Sequence, residues 1–216
     1  MKKMLAVFTL FSLTLWAAGF WEKKKFSDWS DKEVEKILKD SPWAHTVDIP
    51  MGGGGGGGRG GGGGGDDFGG GGGGGGGVPT MSLVVRWQTA LPMRQAMARE
   101  RFGAEATTSA EAAKLLAADT DSYVIAFGPL PMPMLRDGPG LKSSAMLSVK
   151  GKEPIHAADL KGERQGNMVV LYIFFPRAIP ITVEGGDVEF AVKLNTTNIK
   201  RKFKLKDMMF DGKLEL

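Results

Sequence analysis

The chain has 216 residues, a formal net charge of +4, 33 glycines and no cysteine. Without cysteine, the protein has no disulfide framework, no thiolate metal site, no cysteine nucleophile and no lipoprotein-type acylation site. The mild positive charge bears on solubility more than on one class of partner, and the length suits one domain with appendages.

A short apolar segment opens the chain. Lys2 and Lys3 precede an uncharged, mostly apolar run that ends in small residues at Ala18 and Gly19. This order is typical of a secretory signal peptide, so we predict that residues 1–19 are a cleaved leader and that the protein is exported, to a periplasmic or extracellular location. The run is shorter than the ~20 residues that a membrane helix needs. Membrane contact is expected only in the alternative case, in which the leader is retained as an anchor.

Residues 20–50 form a tryptophan-rich segment with one predicted helix. Ser30 and Glu33 match a capping box, in which each side chain bonds the other residue's free backbone N–H. The apolar residues that then recur at helical spacing are Val34, Ile37 and Leu38. Pro42 ends this pattern, because proline restricts the residue before it and cannot continue the helix.

One helix of this length is marginal in water, so its apolar side must cover another surface. We expect the segment to dock on the protein's own C-terminal domain. The alternative is an interaction helix that docks on a partner or a membrane face. The aromatic residues that would make either contact are Trp21, Phe26, Trp29 and Trp43.

Several stretches of the chain carry a resemblance. They are Phe20-Trp21-Glu22-Lys23-Lys24, Asp40-Ser41-Pro42-Trp43-Ala44, Val85-Arg86-Trp87-Gln88 and Lys202-Phe203-Lys204-Leu205-Lys206-Asp207-Met208. These stretches resemble a group of exported bacterial proteins to which no activity is assigned. The resemblance implies export and a single fold, and it implies no site residue.

Residues 51–79 form a glycine tract, which is almost entirely glycine from Gly52 to Gly77. The tract satisfies the dinucleotide pattern G-x-G-x-x-G trivially, but no predicted strand leads into it and it lacks the Lys and Ser/Thr of a phosphate loop. Glycine loses more backbone freedom on ordering than any other residue. We therefore expect a disordered, flexible poly-glycine loop within one fold, with no nucleotide site.

Residues 80–216 form the predicted main domain. Helices are expected over 93–101, from Ser109 onwards, and over 134–147 with a break near Gly138-Pro139-Gly140. The expected strands are 82–89, 123–127 closed by Gly128-Pro129, 145–149, 169–175, 181–183, 188–194 and 199–205, with Gly185-Gly186 as a hairpin turn. Early helices and late strands predict an α+β fold, in which a mostly antiparallel sheet carries two or three helices on one face.

One charge pattern stands out, here called the lysine face: Lys200, Lys202, Lys204 and Lys206. It could bind anionic lipid, polysaccharide or nucleic acid, but lysine also commonly protects a sheet edge against pairing with other chains. No aromatic residues interleave on this face, so we predict no specific nucleic-acid partner.

Metal and catalytic chemistry have little support. His45 and His156 lie in separate segments without carboxylates at ligand spacing, so no metal site or cofactor is predicted. Met132 and Met134 offer soft ligands suited to cuprous ion, although such methionines usually pack. No catalytic motif is present, and the residues to inspect first are charged or polar groups near a core strand, namely Arg86, Trp87, Gln88, Arg94 and Arg101.

These observations favour an exported protein with a non-enzymatic binding or structural role and an unknown partner. One alternative is an enzyme whose site is assembled only in three dimensions. A second alternative is binding of an anionic surface or polymer through the lysine face.

Overall fold

The computed structural model describes residues 19–50, 80–118, 121–135 and 138–216. The predicted leader before Gly19 and the glycine tract lie outside these residues. Within the described ranges, the α-helices are α1 (Phe20–Lys23), α2 (Asp31–Lys39), α3 (Leu91–Phe102), α4 (Ala110–Ala117) and α5 (Gly138–Ser144).

The strands form two main sheets. In chain order they are β1 (Ala44–Pro50), β2 (Thr80–Trp87), β3 (Ser122–Pro131), β4 (Met146–Val149), β5 (Ile155–His156), β6 (Asp159–Gln165), β7 (Met168–Pro176), β8 (Asp187–Leu194), β9 (Thr197–Lys204), β10 (Met209–Phe210) and β11 (Lys213–Leu214). Sheet A has the order β1-β2-β3-β7-β6, sheet B has the order β5-β4-β8-β9, and β10 pairs with β11. These pairings are antiparallel, so the α+β class with mostly antiparallel strands is confirmed.

The inner faces of sheets A and B pack against each other and form the core. Trp87 of β2 contacts Phe203 of β9, with ring centroids 5.7 Å apart. Phe127 and Phe175 of sheet A contact Phe190 of β8 at 6.1 and 6.3 Å. All five rings are fully buried. The division of the strands between two facing sheets goes beyond the sequence analysis, which expected one sheet.

Helices α2 and α3 lie against each other over part of the outer face of sheet A. Along β2, Leu83, Val85 and Trp87 are buried inward, while Val84 and Arg86 alternate with them and face outward. The Thr46 hydroxyl of β1 donates to the carbonyl of Lys39 at the end of α2, at 3.3 Å. The helical layer therefore borders the outward side chains of β1 and β2.

The predicted start of α2 is confirmed. The Ser30 backbone N–H donates to Glu33 Oε2 at 2.9 Å, and the Glu33 N–H donates to Ser30 Oγ at 3.4 Å. Lys24 donates to the same carboxylate at 2.7 Å and, with the Ser30 N–H, lowers the pKa of Glu33 to about 2. The apolar residues of the pattern are all buried: Val34, Ile37 and Leu38.

Other element predictions need correction. Strand β3 does not end at Gly128-Pro129 but continues to Pro131 after a register shift against β7. The third helix is confined to Gly138–Ser144, because the chain enters β4 at Met146. The predicted hairpin at Gly185-Gly186 is wrong: Val183–Gly185 is a 3-10 turn, and β8 pairs with β4 and β9.

Strand β1 was not predicted, and it changes the place of the glycine tract in the fold. β1 pairs with β2 from Ala44 opposite Arg86 to Pro50 opposite Thr80. Pro50 and Thr80 are also the described residues that flank the tract. The tract therefore connects the two paired ends of one antiparallel hairpin, a connection that two residues can make.

We expect that replacing residues 51–79 by Asn-Gly leaves the melting temperature unchanged or slightly raised. The two strand ends are already paired, so the connection between them does not have to span a distance. Each doubling of loop length costs only about 0.6 kcal/mol in closure entropy. Differential scanning calorimetry of both chains provides the test. A clearly lower melting temperature in the shortened chain would contradict this placement.

Glu215 ties three distant parts of the chain together. Its carboxylate accepts from the Leu91 N–H at the start of α3, at 2.9 Å, where the N-cap residue Ala90 supplies no side-chain bond. Its backbone carbonyl accepts from Trp43 Nε1 at 3.0 Å, and its N–H donates to the Met208 carbonyl at 3.1 Å. A carboxylate at a helix N-terminus satisfies a free backbone donor and complements the helix dipole.

Replacing Glu215 by alanine should therefore lower the free energy of unfolding by about 1 kcal/mol, as expected for a lost helix cap. Glu215→Gln should cost less, because the amide oxygen still accepts a hydrogen bond. Urea unfolding measures both values. Glu153→Ala, on an exposed loop, is the control, and an equal loss in that variant would show that Glu215 caps nothing.

Candidate functional site

The outer face of sheet A contains a trough with a floor of small residues. Ala126 and Gly128 of β3 face outward, since they pair with the outward residues Arg86 and Val84 of β2. Gly128 has φ +144°, and a Cβ at this position would lie 2.9 Å from the backbone oxygen of Val169. Real side chains do not approach backbone so closely, so glycine is required there.

Longer side chains on both sides wall the trough. Val84 and Arg86 stand on β2, and Val170 stands on β7. The helical layer adds Leu38, Lys39 and Glu100 at the rim. The cavity volume is about 230 Å³, and its surface combines apolar walls with one guanidinium group.

A polar network crosses the floor. Arg86 and Tyr172 lie on opposite sides of Ala126 in the same row of the sheet. The Tyr172 hydroxyl donates to Glu163 Oε2 at 2.8 Å, and Arg86 Nε donates to Gln88 Oε1 at 3.0 Å. The network therefore reaches over β2, β3, β7 and β6.

Burial raises the pKa of the Tyr172 hydroxyl above its usual value, and the Glu163 carboxylate raises it further. The positive charge of Arg86 and its hydrogen bond to the Tyr172 oxygen act in the opposite direction without cancelling the shift. Tyr172 is therefore protonated at neutral pH, and its hydroxyl serves as a hydrogen-bond donor.

Arg86 is half-buried, and no carboxylate oxygen among the described residues lies within 4.0 Å of its guanidinium. A guanidinium carries five N–H donors; Gln88 accepts from one of them, and the Tyr172 oxygen is a further hydrogen-bond partner of Arg86. A partly desolvated cation with remaining donors attracts anionic groups, because interactions with it are screened less than at an open surface.

The two histidines lie in different sheets. His45 of β1 packs on the Phe203 ring, with centroids 5.0 Å apart, and His156 of β5 is exposed. Across the described ranges, no group of three or more His, Cys, Asp or Glu residues is arranged to hold a metal ion. Met132 is exposed and Met134 half-buried, and a cuprous site there stays an untested prediction.

A second cavity, of about 510 Å³, lies between α3, α4 and the end of the chain. Arg94 donates to the carbonyl of Leu116 and, at 2.8 Å, to that of Ala118, where α4 ends. Arg177 donates to the carbonyl of Leu216 at 2.9 Å. Both guanidinium groups thus join backbone segments, which makes this cavity the weaker candidate.

The lysine face is not a continuous strand surface. Three of its members project outward from β9, which is an edge strand of sheet B, whereas Lys206 follows in a 3-10 turn. Lys202 is paired with Glu189 and Lys204 with Asp187 on the neighbouring strand. Lys200 Nζ also lies 3.2 Å from Glu189 Oε1. Carboxylates of β8 therefore offset part of this positive charge.

The predicted docking aromatics face the protein itself. Trp29 and Trp43 are fully buried, while Trp21 and Phe26 are half-buried. Trp43 contacts Trp21 at 5.7 Å and Phe210 of β10 at 6.4 Å. The rings thus form edge-to-face contacts that link residues 20–50 to the C-terminal hairpin.

Comparisons with known proteins add no identification: no protein-family model, curated protein or solved structure matches the chain. Among the described residues, no helix has the length and apolar character needed to cross a membrane.

The sequence analysis singled out part of the trough. Arg86 and Gln88 belong to its network, whereas Trp87 is fully buried between the sheets and Arg101 is exposed beside the Phe102 ring. The floor residues Ala126 and Gly128 were missed, as were Tyr172 and Glu163 of the polar network. Small residues inside an otherwise bulky strand, as in β3, are the sequence signal that could have indicated a cavity.

The stability of the protein should fall between pH 7.5 and pH 5.5 in part because of His45. Burial lowers the pKa of His45, and Arg201 lowers it further against a smaller opposing effect of Asp40. The unfolded chain, with a histidine pKa of about 6.5, then binds the proton more readily than the folded chain. This stability is fully present above that pH and is lost as the pH falls towards the folded pKa.

Urea unfolding of His45→Gln at both pH values measures this contribution. On acidification, His45→Gln should lose less stability than the unmodified protein. The control His156→Gln, at an exposed residue, should lose as much stability as the unmodified protein. Identical losses in all three proteins would contradict the assignment.

Proposed function

We propose that this protein is exported and acts as a non-enzymatic binding protein, with its ligand site in the trough on sheet A. One observation carries the binding role: Arg86 is half-buried beside a cavity with a small-residue floor and has no described carboxylate at ion-pair distance. Concave sites with apolar walls and a few polar groups are the usual form of small-molecule sites.

Export is supported by the chain itself. Lys2 and Lys3, the apolar run and the small residues before Phe20 follow the order of a signal peptide. The resemblance to exported bacterial proteins and the absence of cysteine are compatible with that location.

The chemistry of the trough favours binding over catalysis. Tyr172 has a raised pKa and its hydroxyl hydrogen is already donated to Glu163, so it is not suited to remove a proton from a ligand. Arg86 remains charged at all physiological pH values. These groups can orient a ligand, and neither is an activated nucleophile.

A steric variant tests the binding role without changing any charge. Ala126→Val fills the floor, while Ala191→Val adds the same methyl groups to the outward face of β8. Amide NMR spectra are recorded with hexanoate, hexanamide and hexylammonium. We expect at least one of these to shift the amides of Val84, Ala126 or Gly128 in the unmodified protein and in Ala191→Val, but not in Ala126→Val.

Failure of all three molecules to shift the trough amides would contradict the binding role. Export is tested separately by the intact mass of the protein recovered from the periplasm or medium of an expressing bacterium. A chain that begins at Phe20 is expected, and a chain that retains its leader contradicts the cleavage.

The lysine face supports a second candidate, binding to an anionic polymer, because Lys200, Lys202 and Lys204 share one outward surface. Lys202→Glu with Lys204→Glu is compared on heparin with Lys32→Glu plus Lys36→Glu, on exposed positions of α2. If the lysine face only protects a sheet edge, both double variants should elute from heparin earlier than the unmodified protein and by the same amount. A selective loss in the β9 variant would establish the polymer site.

A further inference from the structure

We infer that the trough binds a small carboxylate, whose charged group pairs with Arg86 and whose apolar chain lies over Ala126 and Gly128. This inference rests on the proposed binding function and names the class of ligand.

The charges around the trough favour a single negative charge. Lys39, the other cation at the rim, already pairs with Glu35 at 2.8 Å. Glu163 is bonded to the Tyr172 hydroxyl, and Glu100 stands at the rim. The ligand therefore meets one guanidinium, while carboxylates nearby repel negative charge. This balance favours a singly charged carboxylate over a doubly charged phosphate.

The guanidinium geometry also suits a carboxylate. Gln88 Oε1 accepts from Nε of Arg86 at 3.0 Å, which restricts the orientation of the guanidinium. The planar fork of arginine matches the two oxygens of a carboxylate, and such two-point bonds are stronger than neutral hydrogen bonds. Restricting the side chain beforehand lowers the entropy lost when the ligand binds.

The walls and the volume describe the remainder of the ligand. Val84, Val170 and Leu38 line the space beside the small-residue floor. A volume of about 230 Å³ corresponds to about eight water-sized volumes of about 30 Å³ each. A short alkyl or aryl carboxylate with about that number of non-hydrogen atoms would fill it, and hexanoate is a suitable probe.

The test compares hexanoate with hexanamide, which has the same number of non-hydrogen atoms and no charge. At pH 7 hexanoate should bind about 10- to 100-fold more tightly, as a hydrogen-bonded charged group implies. Affinities come from NMR titration of the Val84, Ala126 and Gly128 amides. Inorganic phosphate and hexylammonium, titrated alike, should bind more weakly than hexanoate.

Three substitutions assign the effect to charge. Arg86→Met should reduce hexanoate affinity about 10- to 100-fold and leave hexanamide affinity nearly unchanged. Glu100→Gln should strengthen hexanoate binding, because it removes a like charge from the rim. Arg177→Met, in the second cavity, is the matched control and should bind hexanoate as the unmodified protein does.

Arg86→Lys keeps the charge without the fork and should give an intermediate affinity, so the test also stands if Arg86→Met does not fold. Equal binding of hexanoate and hexanamide, or tighter binding of phosphate or hexylammonium in the trough, would overturn the carboxylate inference and leave the binding function standing. Shifts confined to the second cavity would overturn both. If no probe shifts the trough amides, the proposed function fails together with the inference.

Discussion

The packing of sheet A on sheet B is the interaction on which the rest of the structure depends. Trp87 and Phe203 meet at 5.7 Å, and Phe190 contacts both Phe127 and Phe175. These rings remove large apolar areas from water, which is the dominant favourable contribution to folding. This burial also outweighs the cost of desolvating the Trp87 indole N–H, which is buried without an acceptor among the described residues. The inner faces are used in this packing, and α2, α3 and the trough lie on the outer face of sheet A.

The N-terminal segment belongs to the same packed unit. β1 forms one edge of sheet A, and Trp43 reaches the C-terminal hairpin through Phe210 and the carbonyl of Glu215. The carboxylate of Glu215 meanwhile satisfies the start of α3. Residues far apart in sequence therefore stabilise one another, which explains why a glycine-rich insertion between β1 and β2 need not divide the protein into two functional modules.

The trough arises because two outward residues of the central strand β3 are small. Ala126 and Gly128 leave space that bulky residues would fill, and the approach of the Val169 carbonyl prevents any larger residue at Gly128. Arg86 and Tyr172 reach over this space from the neighbouring strands, so a cation and a hydroxyl meet above an apolar floor. Antiparallel pairing at a defined register is what brings these residues into one row.

The sequence by itself determined the local features: the capping box at Ser30 and Glu33, the helix from Ser109, the alternating pattern of β8 and the α+β class. These follow from interactions between residues close in the chain, which spacing and residue type reveal. Only the tertiary structure decided that the strands divide into two facing sheets, that the polar strand β1 joins an edge, and that Arg86 lies in one row with Tyr172. Those features depend on pairing and register between distant segments, and a pairing partner leaves no local pattern. The candidate site was therefore visible in sequence only as the isolated residues Arg86 and Gln88, because its floor and its remaining polar groups come from other strands.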